Sequence, residues 1–389
     1  MMMRQTAALF VDAYRELNSR KLFWITMMLS GLVVAAFAAV GIDKQGLTIL
    51  WFRLDFIPLN SDVLSPALLY KTMFLNLGLN LWLAWIAAIL ALITTAGMIP
   101  DLIAGGSIEM MLSKPISRVR LFLTKYAAGL LFVTLQVGVF SVASFIVIGV
   151  RGGEWEPALL LAIPLVVAFF SFLFCMCVLF GLLTRSTIAS LLLTLLFWFF
   201  LFILNATDSA LVQWRSMAEA QRDALVKQVA QAEDNTRQLL IAERRSLGEE
   251  LPEDYHPTDD EIAGINPFLK GLRDRRDSAE KTAAQAAKWS GMIYTAKSIV
   301  PKTGETIALL ERTLISMADL DALMSGGDKP KGTTVDEQTA DVDVSDYDVS
   351  MRAAEILRDR SVVWVLGTSF AFEAVVLALS CFIFARRDF

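Results

Sequence analysis

Long apolar runs broken by short charged connectors fill the first half of the chain, and a last apolar run closes it. We read six membrane spans at 22–40, 74–99, 121–150, 157–183, 188–204 and 362–385. About 20 residues, rising about 1.5 Å each, cross a hydrocarbon core of about 30 Å. The fifth run is the shortest and needs flanking residues to complete it. Ahead of the first run, RQTAALFVDAYRELNSRK places Phe10, Tyr14 and Leu17 at helical spacing between basic flanks. That pattern predicts an N-terminal interfacial helix, or a plain extension of the first span. It lacks the short apolar core and small-residue cleavage site of a signal peptide.

The stretch 205–361 breaks this pattern. Residues 209–247 are rich in Ala, Gln, Glu, Arg and Leu without an internal Gly or Pro, which favours helix. Leu211, Trp214, Ala218, Leu225, Val229, Ala232 and Leu239 mark a broken apolar stripe. GEELPEDYHPTDD ends it, and Thr258 with Glu261 has capping-box spacing. A second helix is expected over 267–298, with Phe268, Leu272, Ala279, Ala283, Ala286 and Ile293 on one side, making an antiparallel hairpin. TIALLERTLISMADLDALM predicts a third helical stretch, SGGDKPKGTTVDEQTADVDVSDYD a flexible acidic linker, and MRAAEILRDR a short helix before the last span. The hairpin reads either as a solvated spacer or as a docking arm.

Composition agrees. Of 389 residues 55% are hydrophobic, and the mean hydropathy is +0.54, beyond a soluble domain. Charge sets the orientation. Arg4, Arg15, Arg20, Lys21, Lys114, Arg118, Arg120, Lys125, Arg185, Arg386 and Arg387 gather on one side. Only Lys44, Arg53, Lys71 and Arg151 sit in the short loops of the other. The first side is therefore expected to be cytoplasmic with both termini, and 205–361 extracytoplasmic. Cys175, Cys177 and Cys381 all fall in apolar runs, as packing residues do. His256, the sole histidine, lies in a polar loop beside Pro257, so no multi-histidine metal site can form in one chain.

No catalytic constellation stands out. GGDKPKGTT lacks the Lys-Ser/Thr after its last Gly that would reach phosphates and magnesium. Glu373 is the one acid deep in a span, where a bare carboxylate costs several kcal/mol. It marks a transport path or gate, or a structural hydrogen bond; Asn76, Asn80 and Gln136 are its candidate partners by composition. Trp82, Trp85, Trp198 and Trp364 read as packing and interface anchors.

Between the second and third spans lies GGSIEMMLSKPISRVRLFLTK. Gly105 and Gly106 permit a sharp turn. Ser107 can cap a short helix, with Ile108, Met110, Met111 and Leu112 as its apolar side. Glu109 suits the positive end of the helix dipole. Ser113, Lys114 and Pro115 close it, since a residue before Pro leaves the helical region. Ser117 then caps the next helix, with Arg118, Arg120 and Lys125 as inner-interface anchors. Physically this is either a grip for a cytoplasmic partner or an ordinary interfacial loop.

The stretch resembles the region after the second span in permease subunits of type-2 ATP-binding-cassette exporters. Gly106, Ser107, Glu109, Leu112, Ser113, Lys114, Pro115, Ser117, Arg118 and Lys125 fall on that family's pattern. The six spans, SIVPKTGETIALL and the terminal FARRDF extend the likeness. The resemblance implies that Ser107, Ile108, Glu109, Met110, Met111, Leu112, Ser113, Lys114, Pro115 and Arg118 couple the chain to an ABC ATPase subunit. It departs in the lead PDLIAG, where Asp101 is the only acid and the family often has two. It departs again in the large insert, where the family commonly has short re-entrant helices.

The expectation is an all-α membrane protein: interfacial helix and spans one to five over 1–204, a helical insert over 205–325, a linker and short helix over 326–361, and the last span with its tail over 362–389. The implied function is an exporter permease in a bacterial cytoplasmic membrane. Its expected partners are a cytoplasmic ATPase, a second permease copy (identical or related), lipids, and a periplasmic protein at the insert; no nucleic acid is expected. ATP and magnesium would sit on the ATPase, with no cofactor in this chain. Rival readings are an ion-coupled transporter or channel using Glu373, and a scaffold recruiting partners through the insert.

Overall fold

A computed structural model of the chain describes residue 15 and residues 21–43, 46–50, 52–54, 65–104, 117–249, 252, 255–258, 261–262, 264, 266–325, 332–335 and 341–386. The expected interfacial helix, apart from Arg15 and Lys21, lies outside the described residues.

Among the described residues, six helices are long and apolar enough to cross a membrane. The first is α1 (Lys21–Ala39). The second, Pro66–Ile103, is composite: α2 (Pro66–Met73), a π-helical run (Phe74–Ala87), α3 (Ala88–Thr95), and α4 (Pro100–Ala104) after a turn. The third is α5 (Arg118–Gly152). The fourth joins a 3₁₀ turn (Pro157–Leu161) to α6 (Ala162–Thr184). The fifth opens α7 (Thr187–Ser246). The last joins a π-helical turn (Val363–Gly367) to α12 (Thr368–Arg386). Ends follow local rules: Ser65 and Ser117 accept from the backbone N–H three residues on.

The chain divides into two compact units. One comprises Met1–Asn205, Lys297–Gly327 and Ser361–Phe389; the other comprises Ala206–Ala296 and Asp328–Arg360.

In the first unit the fourth span is the most enclosed. It packs against the second, third and sixth with Phe169, Phe170, Phe172 and Phe174 all buried. Spans one and two pack together, and span one also packs on span three. The sequence reading gave no strands after the first span. The structure has an antiparallel meander there, β1 (Val40–Asp43), β2 (Gly46–Ile49) and β3 (Phe52–Leu54). Val40 pairs with Ile49 and Leu47 with Leu54. Tyr70 donates to the Val40 carbonyl at 2.5 Å and Arg151 to the Ala38 carbonyl at 2.8 Å, fixing where the strand leaves the span.

Two short helices, α9 (Thr303–Leu314) and α10 (Met317–Ser325), precede the last span. The sequence reading placed them in the insert. They belong instead to the unit of the spans, because Ile307, Leu310 and Leu314 of α9 join its core. Asn205 donates to the Thr303 hydroxyl at 3.3 Å, docking the start of α9 on the fifth span.

In the second unit, the later part of α7 packs antiparallel on α8 (Pro267–Ala296). Ala218 meets Ala283 and Ala286, and Leu225 and Val229 meet Leu272 and Ala279. The stripe is shifted from the one read by sequence. Val212 and Leu240 are buried where Trp214 and Leu239 face out, and Leu269 replaces Phe268. Thr334–Val335 pairs with Val342–Asp343 (β4, β5) within the expected linker, ahead of α11 (Asp346–Arg358).

Candidate functional site

Residues 105–116 lie outside the described residues, and with them Ser107, Ile108, Glu109, Met110, Met111, Leu112, Ser113, Lys114 and Pro115. Both flanks are described. Before the stretch, Asp101 on α4 accepts from the Thr187 hydroxyl at 3.3 Å, reaching the start of the fifth span. After it, Arg118 donates to the Ala385 carbonyl at 3.4 Å, reaching the end of the sixth. Lys125, expected as an interface anchor, is buried. It shares the packed face of α5 with Leu121, Phe122, Tyr126 and Gly129, one helical turn at a time.

Glu373 is buried on α12. Its carboxylate joins three spans: Tyr126 on the third donates to Oε1 at 2.7 Å, and Ser171 on the fourth donates to Oε2 at 2.9 Å. Phe174 stacks on the Tyr126 ring at 5.0 Å with 9° between planes, fixing the phenol. Ser369, Glu373, Val376 and Ser380 are buried along one face of α12, the four-three-four spacing of a packed helix side.

Asn76, Asn80 and Gln136 are not the partners of Glu373. Asn76 donates to the Thr72 carbonyl of its own helix at 3.1 Å, and both asparagines are exposed. Gln136 is buried, and its Nε2 has no acceptor among the described residues. It lines a cavity with Thr26, Ser30, Val137, Phe169 and Phe170. That cavity, about 10 Å³, has room for a single water. Sequence reasoning missed Tyr126 and Ser171 because one is an ordinary interfacial aromatic by composition and the other an ordinary small residue of a packed span.

A second polar cluster lies at the start of α9. Lys297 pairs with Glu305, both buried. Lys302 donates to the Thr368 hydroxyl and, at 3.4 Å, to the Val300 carbonyl, and its ammonium sits 4.5 Å from the centre of the Trp364 ring. Burial pushes the Lys302 amine down to about 8, with Glu305 opposing the shift and Lys297 adding to it.

A family model described as ABC-2 family transporter protein matches residues 7–271, more than half of the chain. The chain belongs to this family. No curated protein matches it, and neither does a solved structure. Membership implies a multi-pass membrane transport subunit that associates with an ABC ATPase and has no ATPase domain of its own. The match takes in the first five spans and 105–116. Glu373 and the cluster around Lys302 lie beyond it.

Proposed function

We propose that this chain is the permease subunit of an ABC exporter in a bacterial cytoplasmic membrane. Two copies, or one copy with a related permease, would form the path, with two ATPase subunits on the cytoplasmic side. Basic residues near the span ends support that orientation, which makes the second unit extracytoplasmic.

One observation carries the coupling role of 105–116. The matched stretch lies between two spans whose adjoining ends are tied to two others, Asp101 to Thr187 and Arg118 to Ala385. A displacement there reaches spans two, three, five and six together. Ser107, Glu109 and the apolar Ile108, Met110, Met111 and Leu112 are the residues for an ATPase groove to hold, with Ser113, Lys114 and Pro115 ending the segment. ATP binding on the ATPase would then open the path outward.

The test is a pull-down of the full chain, tagged at its C-terminus in mild detergent. A soluble ATPase should copurify and hydrolyse ATP, and Glu109→Lys should release it. Paired changes at Glu109 and Met111 should abolish coupled transport and leave membrane insertion intact. Transport that persists in those variants, or without ATP, overturns the assignment.

A further inference from the structure

We propose that Glu373, Tyr126 and Ser171 form a reversible proton-binding site in the membrane core, which takes up a proton from bulk water when spans three and four move away from span six. Its place in a transport cycle rests on the permease reading; the proton binding itself does not.

A hydroxyl carries one hydrogen and accepts through its oxygen. Tyr126 Oη lies 2.7 Å from Glu373 Oε1 and 3.2 Å from the Ser171 carbonyl. Ser171 Oγ lies 2.9 Å from Glu373 Oε2 and 2.8 Å from the Ala168 carbonyl. Each hydroxyl thus has two acceptors and must choose.

With Glu373 ionised, both hydroxyls turn to the carboxylate, and each of its oxygens receives a donor. With Glu373 protonated, its new O–H donates to one hydroxyl oxygen, and that hydroxyl swings its hydrogen to the backbone carbonyl already in reach. One O–H bond forms at Glu373, no heavy atom moves, and no polar atom is orphaned. The site thus keeps its buried polar atoms hydrogen-bonded in both charge states, which avoids the cost of an unpaired buried group in either.

The surroundings set no fixed charge. No Lys or Arg pairs with Glu373 among the described residues. From the third span it faces Tyr126, and from the fourth Tyr126's neighbour Cys175. From the segment before α9, Lys302 reaches Thr368 and Ser369, one turn earlier on α12, while Lys297 is engaged by Glu305. Lys125, buried beside Tyr126 on the third span, is not among the partners of Glu373. Both donors to Glu373 come from other spans. Separation therefore strips the carboxylate of both at once, and an unsolvated charge there is costly. Taking up a proton relieves it.

The test is infrared difference spectroscopy of the purified full chain in lipid vesicles, titrated with pH and without an ATPase. A carboxylic-acid C=O band should grow on acidification and vanish in Glu373→Gln. Tyr126→Phe and Ser171→Ala should each displace its midpoint; these test the site if Glu373→Gln does not accumulate. A band present at every pH, absent at every pH, or unmoved in both donor variants overturns the proposal. A titrating band in a chain that captures no ATPase keeps the proton site and removes the permease reading. An ATPase-coupled chain without the band does the reverse.

Discussion

Arg360 grips Asp208 as a fork, with Nη1 2.6 Å from Oδ2 and Nη2 2.8 Å from Oδ1, both side chains buried. Tyr294 lies beside the guanidinium, its ring centre 5.6 Å away. The three residues come from α7, α8 and the segment just after α11, so one bidentate pair closes the second unit at the end where its chain segments enter and leave. Removing one partner of a buried pair strands the other charge and costs roughly 3–5 kcal/mol. Asp208→Ala should therefore speed hydrogen exchange strongly in α7 beyond 206 and in α11. The double change Asp208→Leu with Arg360→Met should restore much of the protection, since it leaves no unpaired charge.

Lys302 predicts a pH effect with a definite sign. Its amine is held near 8 in the folded chain against an ordinary 10.5. Between those values the unfolded chain binds more protons, so stability rises with pH across that window and the charged form is the disfavoured one below it. The melting temperature of wild type relative to Lys302→Gln should climb from about pH 8 to pH 10.5. A constant difference across the window excludes the buried amine as its source.

Glu261 has the opposite sign. Its carboxylate accepts from the Thr258 backbone N–H at 2.8 Å and the Thr258 hydroxyl at 3.0 Å, as the capping-box spacing predicted, and Arg244 adds a bond at 2.5 Å. These bonds hold Glu261 at about 2, below an ordinary 4.5. Its contribution is present above 4.5 and is lost as pH falls toward 2. Amide exchange near Ile262 and Gly264 should accelerate over that range in wild type. Glu261→Gln should show the faster rate throughout.

Gly129 supports the Glu373 site without touching it. A Cβ there would lie 2.7 Å from Phe174 Cε1, the ring that stacks on Tyr126. Gly129→Ala should force that ring aside at about 1–3 kcal/mol, the usual cost of overpacking. It should lower the melting temperature and displace the infrared midpoint with Tyr126 and Ser171 intact. Gly138→Ala, on the same helix with nothing within 4 Å of its Cβ site, is the control and should do neither.

Much of the fold was legible because it is locally encoded. The span boundaries moved by a few residues, apart from the second span, which begins earlier, and the fifth, whose helix continues to Ser246. The Ser117 cap and the Thr258–Glu261 box fell where spacing put them. The site was only half legible. A carboxylate in an apolar run announces itself, which is how Glu373 was found. Its donors did not, because Tyr126 is 247 residues away and Ser171 is 202. Asn76 and Asn80 are more polar by composition, yet the helix turns them outward.

By itself, the sequence determined the membrane class and the spans. Water and lipid enforce these on each segment separately, through apolar length, helical periodicity and satisfied backbone groups. Tertiary structure alone decided that α9 joins the core of the spans, that Lys302 lies against Trp364, that Arg360 holds Asp208, and that Glu373 meets two hydroxyls with a choice of acceptors. Each depends on which faces of distant helices meet, and helix faces are chosen by packing the whole unit rather than by any one run of residues.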